Sequence, residues 1–181
     1  MLALPTLDAP VRLRPARRGD VDALASVRIA SWQHAYRTIL PAAELRGMTM
    51  AASIAKFERA LYRPRFDEHL LVATHDDRPI GYAMGGIQPD RRLAFRGEIY
   101  ELYLHPNHQH RGIGRALLAR SIWTLVARGL NPVMLWVLAR NSARHFYAAC
   151  GGTLVANSRI TVAGRRLPRL AYGWRDALPL P

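Results

Sequence analysis

Residues 107–116 read NHQHRGIGRA, between a β-type run that Pro106 stops and an apolar run with helical spacing. Glycine weakens a helix by about 1 kcal/mol relative to alanine, so Gly112 and Gly114 at a helix mouth need a reason. One reason is a tight strand-to-helix connection. The other is an anion cradle, because amides in a glycine-rich turn converge on a point where the helix dipole adds about half a positive charge. With no Cβ at either position the backbone can approach a bulky anion, and Arg111 and Arg115 stand at the rim. Both readings require a strand–turn–helix unit here. It is not a P-loop, since no Gly-Lys-Ser/Thr follows. It is not the dinucleotide fingerprint, since the third glycine and the later acid are missing.

The flanking chain supplies the rest of a sheet. VRLRPA, from Val11, alternates and stops at Pro15. Asp20 is the expected N-cap of a helix that carries Val21, Leu24 and Val27 toward Trp32 and ends near Pro41. A second helix is expected from about Met50 to Leu61. HLLVAT and PIGYAMGGI flank an Asp-Asp-Arg turn and read as a hairpin. GEIYELYLHP, from Gly97, is a further strand. Behind the glycines, Leu117, Leu118, Ile122, Leu125 and Val126 give a helix a broad apolar face. VMLWVLA reads as a strand buried on both faces. In NSARHFYAACGG, Asn141 can cap a short helix that the glycines end. TLVANSRITVAG and RRLPRLAYGW form a closing hairpin around Ala163-Gly164. Strands outnumber helices and one crossover is strand–helix–strand, which defines an α/β class, or α+β with a mixed sheet. No repeat or linker composition interrupts the chain. One domain is expected over 11–175, with an extension at 1–10 and a tail at 176–181.

The net charge is +13, nearly all of it arginine, with Lys56 the only lysine. That charge admits a polyanionic partner. The arginines are scattered, however, and no element interleaves them with exposed aromatics, so nucleic acid is not the expected partner. The single cysteine, Cys150, rules out an internal disulfide and a Cys-rich metal site. His105, His108 and His110 lack a carboxylate or thiol neighbour, and no metal is expected. The start, MLALPTLDAP, has no basic n-region, and the longest apolar run is too short to span a bilayer. A cytoplasmic protein without a membrane partner is expected.

Three stretches together resemble the GCN5-related N-acetyltransferase superfamily. Gln109-x-x-Gly112-x-Gly114 matches its Q/R-x-x-G-x-G/A motif, and EIYELYLHP reads like its central strand. Asn141, Ala143, Phe146, Tyr147 and Gly151, spaced N-x-A-x-x-F-Y-x-x-x-G, resemble its later N-x-x-A-x-x-F-Y-x-x-x-G segment with the alanine one place early. The resemblance covers most of the chain in the family's order. It implies a single domain with a mixed, mostly antiparallel sheet of about seven strands flanked by helices, and acetyl-CoA as co-substrate. The diphosphate would lie on the amides of Gln109, His110, Arg111, Gly112, Ile113, Gly114 and Arg115. The pantetheine would pair with the edge formed by Leu102, Tyr103 and Leu104, and Asn141 would hold it or the base of the Tyr helix. Homodimers are frequent in such a family, and a sensor that binds acetyl-CoA without turnover is the alternative to an enzyme.

Acetyl transfer to a primary amine, small-molecule or peptide, poses two proton problems. The amine has a pKa near 10 and arrives protonated, so a general base must act. Glu98, eleven residues before Gln109, matches the family's catalytic glutamate, and Glu101 is the second candidate. They lie on opposite faces of an unbulged strand, and a bulge would change that. The leaving thiolate needs a hydrogen-bond donor, which the resemblance assigns to Tyr147. Trp32 and Tyr36, near His34 and Arg37, are candidates to line the acceptor side. A net-positive protein suits a polyamine poorly unless Glu98 and Glu101 reverse the field locally.

Overall fold

The computed structural model describes residues 11–63, 67–162 and 164–175; the expected extension at 1–10 and the tail at 176–181 lie outside them. Seven strands form one sheet: β1 (Val11–Pro15), β2 (His69–His75), β3 (Arg78–Ile87), β4 (Gly97–Leu104), β5 (Val133–Leu138), β6 (Thr153–Val162) and β7 (Arg165–Trp174), in the order β1-β2-β3-β4-β5-β7-β6. Every pairing is antiparallel except β4 with β5. The five helices are α1 (Val21–Tyr36), α2 (Ala42–Arg46), α3 (Met50–Tyr62), α4 (Ile113–Ala127) and α5 (Ala143–Ala149).

Helices cover both faces. Leu24, Val27 and Phe57 of α1 and α3 pack on Leu70, Val72, Tyr82 and Met84. On the other face, Leu118, Ile122 and Leu125 of α4 and Tyr147 of α5 pack on Ile99, Val133, Leu135 and Trp174. Val133, Leu135 and Val137 of β5 face α4 and α5, while Met134 on its other face packs on Phe95 and Ala171, so the unbroken apolar run is covered on both sides.

Two local rules gave way to longer-range contacts. Asp20 makes no capping bond to α1. Its carboxylate instead takes both terminal nitrogens of Arg14, at 2.7 and 2.9 Å, and the amide of Arg17 at 2.7 Å. A bidentate arginine is a stronger partner than a neutral amide at a helix start. Pro41, expected to end a helix, instead precedes α2, where its fixed φ and missing N–H suit a helix start. The β2–β3 turn follows the expected Asp-Asp pair, with Asp76 and Asp77 at φ 47 and 58, the left-handed pair that a two-residue hairpin uses.

One buried imidazole couples this core to pH. His69 Nε2 lies 2.7 Å from Ser121 Oγ, while its Nδ1 has no partner among the described residues. Burial, reinforced by Arg128, holds its pKa down to about 4 from 6.5. The folded chain therefore refuses a proton that the unfolded chain accepts. Stability is lost as pH falls from about 6.5 toward 4, by up to roughly 3 kcal/mol. In urea titrations at stepped pH, His69→Gln should flatten this loss. An unchanged slope would show that another group carries the acid sensitivity.

Candidate active site

The parallel pairing of β4 with β5 lasts only three residues: Gly97 opposite Val133, Glu98 opposite Met134, Ile99 opposite Leu135. Beyond Ile99 the strands part, and one edge of β4 is left without a strand. A cleft of about 730 Å³ opens there. Its walls include Leu102, Tyr103 and Leu104 of β4, Trp136 and Val137 of β5, Tyr36 of α1, and Asn141, Phe146 and Tyr147 around α5.

The glycine turn closes one end. Gly112 sits in the left-handed region at φ 76 as the N-cap of α4, and His110 before it is at φ 62. A Cβ at 112 would strain that turn. The amide of Ala116 is the first to bond back, to Gly112 O at 3.1 Å. The earlier amides of α4 thus make no bond within the helix, and its first turn carries no acid. A Cβ on Gly114 would find Phe146 at 3.5 Å, an ordinary contact, so this glycine keeps space open rather than relieving strain.

The seven expected residues of the turn divide. Gln109, His110, Gly112, Gly114 and Arg115 line the cleft. Arg111 is exposed outside its walls, and the Ile113 side chain is buried in the α4 core, so Ile113 can offer only its amide. Gln109 Nε2 and Ser31 Oγ both donate to Leu104 O, at 3.2 and 3.1 Å, so this carbonyl is already engaged. Arg115 is tied to Ala149 O at 3.2 Å, linking the turn to α5. Asn141 Oδ1 accepts the Ala143 amide at 2.9 Å, and the Tyr36 hydroxyl is its other hydrogen-bonding neighbour.

The bulge exists. Met84 pairs with Glu101 and Gly85 with Ile99, leaving Tyr100 as the extra residue. Glu98 and Glu101 are thereby brought to the same face, the one covered by α1 and α3. Their surroundings differ. Glu101 lines the cleft, but its carboxylate meets Lys56 Nζ at 2.8 Å, Arg28 Nε at 3.7 Å and the Tyr82 hydroxyl at 2.7 Å. Glu98 is outside the cleft wall, in register beside Met134, and burial lifts its pKa to about 7 against the pull of Arg169. A carboxyl poised there can both take and release a proton near neutral pH.

Tyr147 faces the cleft from α5, and its hydroxyl has no hydrogen-bond partner among the described residues. Burial pushes this phenol well above its ordinary value, so it donates a hydrogen bond more readily than it loses a proton. Tyr36 lines the cleft and its hydroxyl lies 3.1 Å from that of Tyr103. Trp32 does not line it. Its ring packs on Tyr36 with centroids 4.8 Å apart, in a cluster with Ile39, Leu40, Leu138 and Leu167. The His108 ring lies 5.6 Å from that of His75 and 6.1 Å from that of His105, centroid to centroid, and among the described residues no group of three His, Cys, Asp or Glu side chains is placed to hold a metal ion. No helix among them is long and apolar enough to cross a membrane.

The splayed strands and the glycine-capped start of α4 thus frame one cleft. The chain belongs to the Acetyltransferase (GNAT) family, whose model matches residues 30–151. It is 30% identical over 167 residues to the uncharacterized N-acetyltransferase YuaI of Bacillus subtilis, covering 92% of this chain and 94% of that one. Among solved structures, the PaiA N-acetyltransferase of Thermoplasma acidophilum in complex with coenzyme A superposes with a TM-score of 0.68 at 22% identity, covering 88% of this chain and 97% of that one. The putative acetyltransferase yncA of Salmonella typhimurium, with its cofactor acetyl-CoA, gives 0.65 at 22%, covering 91% and 93%.

Proposed function

We propose that this acyltransferase moves the acetyl group of acetyl-CoA to a primary amine by direct attack in a ternary complex. The observation that carries this reading is the continuous cleft, running from the acid-free start of α4 along the unpaired edge of β4 to Tyr147. The amides at the start of α4 would hold the diphosphate. The β4 edge would pair with the pantetheine through Leu102 and Tyr103, since Leu104 O is engaged.

Glu98 takes a proton from the ammonium, through a water across the bulge. The amine nitrogen then attacks the carbonyl carbon of the thioester. A β4 amide stabilises the oxyanion while the C–N bond forms. The oxyanion collapses, the C–S bond breaks and its electron pair leaves on sulfur, where Tyr147 donates a hydrogen bond to the thiolate. The proton still on the new amide nitrogen passes to that sulfur, leaving the acetylated amine and the free thiol of coenzyme A. Glu98 is preferred to Glu101 because the Glu101 carboxylate is already engaged by Lys56, Arg28 and the Tyr82 hydroxyl.

Calorimetric titration with acetyl-CoA tests the cofactor, with ATP and a short DNA duplex as controls. Selective micromolar binding of acetyl-CoA is expected. Binding to DNA alone, falling steeply with salt, would overturn the reading. For the second role, Tyr147→Phe should lower kcat about tenfold, the value of one hydrogen bond to developing charge, and leave acetyl-CoA affinity unchanged. An unaltered kcat would make Tyr147 a packing residue.

A further inference from the structure

We infer that the acceptor amine also carries a carboxylate, and that Arg169 is the side chain that anchors it. The inference rests on the acetyltransfer reading and specifies its second substrate.

The first ground is the local charge. The contacts above bring Glu98, Glu101, Arg28, Lys56 and Arg169 to the acceptor side of the sheet. Glu101 is more than balanced by Lys56 and Arg28. Glu98, whose carboxyl burial favours in its neutral form, faces the Arg169 cation, and Asp90, which also faces Arg169, is paired by Arg92. The two glutamates therefore do not turn this side negative. A bare ammonium would enter a positive region, whereas a zwitterion brings its own counter-charge.

The second ground is the presentation of Arg169. It projects from β7 on the same face as Ala171 and Trp136, with which it shares the pairing of β5 and β7. Its guanidinium carbon lies over the Trp136 ring, 4.0 Å from the centroid, and Trp136 is a wall of the cleft. Nε donates to Ser158 Oγ at 2.8 Å. Stacking and this tether fix the plane of the fork, while the two terminal nitrogens have no hydrogen-bond partner among the described residues. A planar fork held so, with two outward donors, matches a carboxylate bidentately. Trp136 stands two residues beyond Met134, the register partner of Glu98, on the same face of β5, so one small molecule can place its ammonium at the base and its carboxylate at Arg169. That geometry favours an amino-acid-like acceptor over a protein N-terminus, which has an amide where the carboxylate would be.

The test uses matched pairs: the proteinogenic amino acids and their decarboxylated amines, assayed with acetyl-CoA for initial rates. At least one amino acid should be acetylated with kcat/KM ten- to a hundredfold above its decarboxylated partner, the usual span for a hydrogen bond between charged groups. Arg169→Gln should erase that preference by raising the KM of the amino acid, leaving the KM of acetyl-CoA within twofold. Arg169→Lys should restore part of it, since charge returns without the fork. Ser158→Ala, which only frees the tether, should weaken the preference in the same direction. Equal kcat/KM within pairs, a preference that survives Arg169→Gln, or turnover of none of the panel by protein that binds acetyl-CoA would each overturn the inference. Failure to bind acetyl-CoA would instead strike the acetyltransfer reading itself.

Discussion

Gly114→Glu should abolish acetyl-CoA binding and leave the protein folded. The position has room, since the nearest atom to an added Cβ is Phe146 Cζ at 3.5 Å. The backbone there is ordinary helix, and a carboxylate in the first turn of α4 favours the helix dipole. The same carboxylate would occupy the space where the diphosphate is read to lie and repel it. A loss of at least about 100-fold in Kd is expected, near 3 kcal/mol, with Tm shifted by no more than a few degrees. Calorimetry and thermal melts of one preparation measure both. Unchanged affinity would place the diphosphate elsewhere.

Glu98→Gln should reduce kcat/KM by roughly a hundred- to a thousandfold, the usual range for a positioned base. The pH profile separates a base from a packing residue. The Glu98 carboxyl is held up to about 7, and only its ionised form accepts a proton. Wild-type kcat/KM should therefore rise with pH through about 7, and the rise at that position should vanish in the variant while a rise set by the amine itself persists at higher pH. A limb that stays near 7 in Glu98→Gln would transfer the role to another group, Glu101 first. Glu101→Gln should act differently, because it leaves Lys56 and Arg28 unbalanced beside the cleft.

The order of strands and helices, the short α2 excepted, was legible because it rests on local signals: turn residues, periodicity, and prolines that end runs. The glycine turn was legible for the same reason, since φ 76 at Gly112 is a demand that one residue type meets at no steric penalty. The bulge at Tyr100 was not placed, because a bulge is a property of two strands in register. A signal was present in Gly85-Gly86 across the ladder, where a Cβ on Gly85 would lie 2.6 Å from Glu98 O. Glycines inside a strand mark such close approaches. Asp20 was misread because its partner, Arg14, stands six residues back in a strand, beyond any capping rule. Arg169 carried no signal at all as one arginine among many. Its place follows only once β7 lies against β5 and brings the guanidinium over Trp136.

Lys56 has a further meaning in a protein that handles an activated acyl donor. Thioesters acylate exposed, unprotonated amines without help, so a chain rich in free lysines would consume its own co-substrate and modify itself. Here the sequence holds a single lysine, and its ammonium is clasped by the Glu101 carboxylate at 2.8 Å. With arginine carrying the remaining positive charge, the chain keeps its attraction for anions and offers that donor only one side-chain amine of its own.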